Sequence, residues 1–367
     1  MSQITITAKP SSSTTQITEK LLASCRPTKL FDYHQGASIT SLDFDDSGQY
    51  LISAGIDKSI QLYDCHKGIH YKDIQSQKYG CHSARFTHLD LNCLYASTPN
   101  NPQENDNAIR YLALSNNQYI RYFKGHKEQV SSIEVNPIHN TFLSSSFDGT
   151  VKHWDLKSSS SIGNIDIGQN SIIGFDPHGI IFAIGKYPDE NSTIGSIGLY
   201  DLKTFDKGPF LQVSIPVSKG QIWNKLEFSN NGKLLLISTE SSEHYILDAF
   251  SGKVLARIQL DKQSPSHNHT QPKNWMSFKY PYTGSCTFSP CGKFVLIGSP
   301  YSIVHIFDLN DLKTSRDHNS DLEPIILTKS SNIQSTHGIP KIVAFNPKLF
   351  TFATADTTVT LWSPTSK

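Results

Sequence analysis

The stretch Gly125–Leu156, GHKEQVSSIEVNPIHNTFLSSSFDGTVKHWDL, constrains the fold more than any other part of the chain. It opens on Gly125-His126, closes on Trp154-Asp155, and reads as strands in between. Val130, Ile133 and Val135 form a short apolar run ended by Asn136-Pro137. Thr141–Ser146 is a second strand, Phe147-Asp148-Gly149-Thr150 a hairpin turn, and Val151–Leu156 a third strand. Three short strands cannot bury both of their own faces, so the unit needs copies of itself on either side.

Seven copies are legible. Their inner strands end at Phe44, Phe86, Val135, Phe175, Phe228, Phe288 and Phe345, spaced by 42, 49, 40, 53, 60 and 57 residues. The shortest spacings match the roughly 40–45-residue period of a β-propeller blade carrying GH near its start and WD at its end. The longer ones hold polar insertions at 99–107, 186–195, 261–282 and 310–336. Six repeats close on an aromatic or Leu followed by Asp or Ser: Tyr63-Asp64, Trp154-Asp155, Tyr200-Asp201, Leu247-Asp248, Phe307-Asp308 and Trp362-Ser363. The predicted fold is therefore all-β, a seven-bladed WD-repeat β-propeller. The chain ends on the third strand of the seventh repeat, and a lone strand near Lys29–Tyr33 precedes the first. That N-terminal strand is expected to complete the last blade, because closure removes open sheet edges. Residues 1–25 are expected to form a disordered Ser/Thr-rich tail, read as a solvated leader, and 26–367 the propeller.

Charge excludes some functions. Lys and Arg number 33 against 32 Asp and Glu, so bulk charge gives no support for nucleic-acid or membrane binding. No run reaches the roughly 18 apolar residues of a membrane span, and the N-terminus lacks the apolar core of a signal peptide. A soluble intracellular protein is expected. The six cysteines show no CxxC spacing and read as reduced, mostly buried side chains.

Chemistry-bearing motifs are missing. Gly-Lys pairs at 185, 232, 252 and 292 are followed by Tyr, Leu, Val or Phe, never by the Ser or Thr of a phosphate loop. No GxSxG, HExxH or strand-borne GxGxxG occurs. His267 and His269 sit in a polar loop without the further ligands a metal needs. No enzyme activity, cofactor or metal is expected. His126, Asp148 and Trp154, with a serine from Ser144–Ser146, are read as a buried structural relay rather than as a catalytic pair. Asp57, Asp148 and Asp356 fall six residues before the closing aromatic, in the turn between second and third strands. Propellers bind through such turns and through the loops between blades. The candidate contacts on that face are Tyr79, His82, Arg85, Lys127, Glu128, Phe147, Trp223, Asn224, Lys225 and Tyr301, aromatic and Arg side chains being common interface anchors.

Several blocks carry a more specific resemblance: Lys78–His88 (KYGCHSARFTH), Tyr119–His126, Asn136–Leu156, Gly208–Phe210, Trp223–Gly232 and Phe345–Lys348. Through them the chain resembles the small WD-repeat subunit of COMPASS (SET-type) histone H3 lysine-4 methyltransferases. In yeasts that subunit also belongs to the mRNA cleavage and polyadenylation factor. The resemblance covers about residues 26–365 and leaves out the loops at 261–282 and 310–336. It implies a nuclear, non-catalytic scaffold for protein–protein interaction in chromatin, acting in histone methylation, transcription termination and mRNA 3′-end processing. The implied partners are the N-terminal region of the methyltransferase subunit, other COMPASS subunits, polyadenylation-factor subunits and the RNA polymerase II tail. No direct nucleic-acid or membrane contact is implied. An alternative, a substrate receptor of a cullin-type ubiquitin ligase, fits less well, because repeat three reads Trp154-Asp155-Leu156-Lys157 where such receptors often carry Trp-Asp-x-Arg.

Overall fold

The computed structural model describes residues 16–89, 91–98, 106–260, 282–312 and 323–365. They form seven sheets, antiparallel but for one added strand, and the first four blades are each taken from consecutive strands. The first three strands of blade 1 are Ile39–Phe44, Tyr50–Gly55 and Ser59–Asp64, and its outer strand is Ile69–Gln75. The inner strands of the other blades are His82–Phe86, Val130–Val135, Ser171–Phe175, Trp223–Phe228, Cys286–Phe288 and Ile342–Phe345. Each inner strand packs against the inner strands of both neighbours, and that of blade 7 against that of blade 1, so the ring is closed.

Burial explains the composition of each strand. Middle strands are covered on both faces by adjacent blades and read as continuous apolar runs; Leu234–Thr239 is buried at every position. Outer strands meet solvent on one side and alternate, as Ile69–Gln75 does. In the five repeats that close on Asp, the Asp has a separate task, since its carboxylate accepts a backbone amide of the following turn. Asp64 takes the Lys67 N–H at 2.9 Å, Asp155 that of Lys157 at 2.8 Å and Asp201 that of Lys203 at 2.7 Å.

The N-terminal strand closes the ring as expected. Cys25–Phe31 pairs antiparallel with Val359–Pro364 as the outer strand of blade 7, from Cys25 opposite Pro364 to Phe31 opposite Val359. The register shifts between Pro27 and Lys29, and the Thr28 hydroxyl there donates to the Leu361 carbonyl at 3.1 Å. Pro27, lacking an N–H, is tolerated because the strand is an edge.

Two expectations need correction. A boundary at residue 26 cuts into this strand, and the chain is ordered before it. Thr18 caps a one-turn helix, Glu19–Ala23, whose Leu22 is fully buried against Phe294, Ile306 and Ile333. Residues 1–15 of the expected tail lie outside the described residues. The 310–336 segment is not simply a polar loop. Ser331–Gln334 supplies the outer strand of blade 6, and Ile325–Leu327 adds a fifth strand to blade 5, parallel to Val254–Gln259. The 261–282 insertion lies outside the described residues except at Tyr282.

Candidate interaction faces and the central channel

The ring has an upper face, made by the loops between blades and the turns between second and third strands. A lower face is made by the turns between first and second strands. Blade 3 shows how sequence fixes the upper face. Trp154 Nε1 donates to Ser144 Oγ at 2.8 Å, and Ser144 Oγ lies 2.8 Å from His126 Nε2. His126 Nδ1 lies 3.0 Å from Asp148 Oδ2. A neutral imidazole protonated on Nδ1 satisfies every group in that row. Burial favours this neutral form by lowering the His126 pKa. Burial alone would raise Asp148, but the Thr150 hydroxyl and the Lys127 amide outweigh it and hold the carboxyl near 2.

Ser144, His126 and Asp148 have the connectivity of a nucleophile, its base and an orienting acid. They are not one, because Ser144 is fully buried and its oxygen already receives the indole N–H. What the relay does is hold the upper loops in place. Lys127 donates its amide to Asp148 at 2.8 Å, and Ser146 Oγ donates to the Glu128 carbonyl at 3.0 Å. Lys127, Glu128 and Phe147 stand exposed on those anchored loops.

Blade 1 repeats the device, unrecognised in the sequence. His34 Nδ1 lies 3.0 Å from Asp57, His34 Nε2 is 2.7 Å from Ser53 Oγ, and Tyr63 OH is 3.2 Å from the same oxygen. Tyr33 stands where Gly usually precedes the His, and Tyr63 replaces Trp, which hid the pattern. The usable signal is spacing, 23 residues from His34 to Asp57 against 22 from His126 to Asp148. Ile56, just before Asp57 as Phe147 is just before Asp148, is likewise exposed. In blade 7, Trp362 Nε1 donates to Thr354 and Asp356 pairs with Lys341 Nζ at 2.7 Å instead of with a His.

The other expected contacts divide into three groups. Tyr301, in the blade 6 turn, and Tyr79 are partly buried. Tyr79 is covered by the Arg110 guanidinium, 3.6 Å from its ring centroid. His82 and Trp223 are buried and cannot touch a partner. Trp223 begins an inner strand, and its indole lies over Gly195, where an added Cβ would stand 2.4 Å from the ring. Arg85, Asn224 and Lys225 point to the channel or the blade interfaces rather than to a loop. Arg85 Nη2 pairs with Glu134 at 2.8 Å, Asn224 donates to Tyr282 OH at 2.8 Å, and Lys225 Nζ pairs with Glu227 at 2.7 Å.

These pairs belong to a charged lining that the sequence reading passed over. The residue before each aligned inner-strand end faces the channel: Asp43, Arg85, Glu134, Gly174, Glu227, Thr287 and Ala344. Toward the lower face they bound a cavity of about 370 Å³. Asp43 accepts the Phe86 amide at 2.7 Å, and burial pushes its carboxyl up to about 7 despite the nearby Arg85.

The lower face is tied together from blade to blade. Asn346 Nδ2 donates to the Gly48 carbonyl, Asn136 Nδ2 to that of Gly179, and Asn230 Nδ2 to that of Pro290. His88 spans three blades, with Nδ1 2.5 Å from Asp46 Oδ2 and Nε2 2.6 Å from the Asn136 carbonyl. Both neighbours are acceptors, so only the imidazolium satisfies both. Although burial opposes the charge, the Asn136 carbonyl and Asp46 raise the His88 pKa. In an NMR titration, the His88 ring should titrate above the ordinary value of about 6.5. Asp46→Asn should bring it down; an unmoved midpoint would mean that the pairing is not made in solution.

Other histidines work in the opposite sense. Burial holds His82 near 4 and His244 near 3, below the unfolded value. Their Nε2 atoms have no hydrogen-bond partner among the described residues. The unfolded chain therefore takes up these protons first. The stability that depends on their neutral rings is complete above about pH 6.5 and falls as pH drops toward 4. His244→Asn keeps an acceptor for the Thr239 amide, which His244 Nδ1 meets at 3.2 Å. It should flatten the loss between pH 6 and 4.5 by about 1.4 kcal/mol per pH unit, one proton's worth, in urea melts. An unchanged slope would show that His244 already titrates normally.

Among the described residues no group of three or more His, Cys, Asp or Glu is arranged to hold a metal, and no helix is long and apolar enough to cross a membrane. The His267/His269 pair lies outside the described residues.

A family model described as "WD domain, G-beta repeat" matches residues 25–64 and 117–155. These two segments carry the two complete His–Ser–Asp relays found among the described residues. Along the whole chain, the "COMPASS component SWD2" of Saccharomyces cerevisiae is 39% identical over 324 residues, covering 88% of this chain and 89% of that protein. The "Set1 complex component swd2" of Schizosaccharomyces pombe is 34% identical over 377 residues, 95% of this chain and 99% of that protein. "WD repeat-containing protein 82" of Drosophila melanogaster is 34% identical over 353 residues, 96% and 98%.

Proposed function

The chain belongs to the WD-repeat family that includes these SWD2 proteins, and from that premise we propose that it is a non-catalytic scaffold subunit of a Set1-type, COMPASS-like histone H3 lysine-4 methyltransferase complex in the nucleus. One observation carries the reading: identity of 39% running over 88% of the chain, far beyond the two segments that the repeat model matches. The geometry agrees with a scaffold. The polar side chains of the relays and turns are used up inside the ring, and what faces outward is a set of anchored loops. The upper-face group Lys127, Glu128, Phe147 and Ile56 is the proposed docking site for the N-terminal region of the methyltransferase subunit. We extend the proposal to a second assembly, the mRNA cleavage and polyadenylation factor, and through it to transcription termination and contact with the RNA polymerase II tail.

Depletion of the chain in its own cells separates the two roles. Lower H3 lysine-4 methylation, restored by the wild-type chain, supports the first. Read-through past polyadenylation sites supports the second. Unchanged H3 lysine-4 methylation after complete depletion would overturn the main reading.

A further inference from the structure

The lower mouth of the channel has three features that belong together. Among the acidic residues lining it, Glu134 pairs with Arg85, Glu227 with Lys225, and Asp46 with His88. Asp176 is taken up by the amides of its own turn, at 2.9 Å to Ile180 and 2.8 Å to Ile181, and pairs with His178 Nδ1 at 3.2 Å. Asp43 alone is in no ion pair, and it borders a cavity of about 370 Å³, room for the end of one long side chain. The lower turns of blades 2, 3 and 4, which supply His88, Pro137 and Pro177 to the mouth, each expose one aliphatic side chain: Leu89 at 42%, Ile138 at 60% and Ile180 at 55%. The corresponding turns of blades 5 and 6 carry the exposed Lys233 and Lys293 instead of Ile180.

We infer that the lower mouth docks a segment of a protein partner that presents one Lys or Arg side chain to Asp43 and lays neighbouring aliphatic residues on Leu89, Ile138 and Ile180. Charge complementarity selects this occupant. Five acidic groups line the mouth against Arg85, Lys225 and His88, so an entering cation improves the balance and an entering anion worsens it. Burial raises the Asp43 carboxyl more than the nearby Arg85 lowers it, and a second cation docked there would bring it down. An isolated aliphatic side chain on a surface is ordinary, but here three consecutive turns that line a charged cavity each expose one. The inference does not depend on which complex holds the chain.

A photo-reactive benzoylphenylalanine in place of Ile138 tests it in the native assembly, with the same residue in place of the exposed Ile162, on the outer strand of blade 3, as control. Irradiation should cross-link Ile138's replacement to a partner segment with a Lys or Arg within a few residues of the attachment point. Asp43→Asn keeps an acceptor for the Phe86 amide and so keeps the fold, which a melting curve verifies. It should lower the cross-link by about tenfold, the equivalent of about 1.4 kcal/mol, and leave the Ile162 control unchanged. No cross-link at 138, a cross-linked segment without a cation, or a cross-link indifferent to Asp43→Asn would each overturn the inference.

Discussion

Removal of residues 1–31 should abolish cooperative folding, because it takes the outer strand from blade 7 and reopens the ring. Leu22, Cys25 and Phe31 are buried, and Phe31 packs 4.7 Å from Tyr63 of blade 1. Each large apolar side chain lost is worth roughly 1.5–3 kcal/mol. The sum is comparable with the whole stability of a domain, about 5–15 kcal/mol. The deletion also bares Val359–Pro364, a largely apolar strand, as a free edge that invites aggregation. The milder Phe31→Ala should cost about 3–4 kcal/mol in urea unfolding. A truncated chain that stays soluble and melts as the full one does would show that closure comes from elsewhere.

Asp148→Ala should be the second largest effect. It strips acceptors from the Lys127 amide, the Thr150 amide and hydroxyl, and His126 Nδ1 in one change. Leaving buried donors unmatched costs about 1–3 kcal/mol each, and solvent relieves part of it at Lys127, so about 3 kcal/mol in all is expected. For a chain of this size that is a Tm lower by about 4 °C. The loops holding Lys127, Glu128 and Phe147 should lose hydrogen-exchange protection before the rest of blade 3 does. A change below about 0.5 kcal/mol, the range of ordinary surface substitutions, would mean that the relay contributes nothing.

The ring was legible because two local signals coincide in nearly every blade: strands with apolar runs, and Asp or Asn turns at fixed offsets. Where one signal fails, the reading failed. Ser331–Gln334 is a polar outer strand with only Ile333 buried, separated by a long insertion from the strand it completes. The one-turn helix at Glu19–Ala23 is too short for periodicity to reveal and is held by the tertiary burial of Leu22. The candidate site was less legible, and for a definite reason. Position in a loop was read as exposure, yet a large ring such as Trp223 beside Gly195 is drawn into the seam between blades. The channel lining could have been found. Once the inner strands were aligned on Phe44, Phe86 and their equivalents, alternation places the preceding residues, Asp43 and Arg85 among them, on the opposite side of the strand.

The most direct test of the scaffold reading is a purification of the tagged full chain from its own cells. The subunits recovered are identified by mass spectrometry, and the eluate is assayed on histone H3. The account predicts a SET-type methyltransferase among the partners and lysine-4 methylation by the eluate, with none by the chain alone. Recovery of cullin adaptors without methyltransferase or polyadenylation-factor subunits would contradict it.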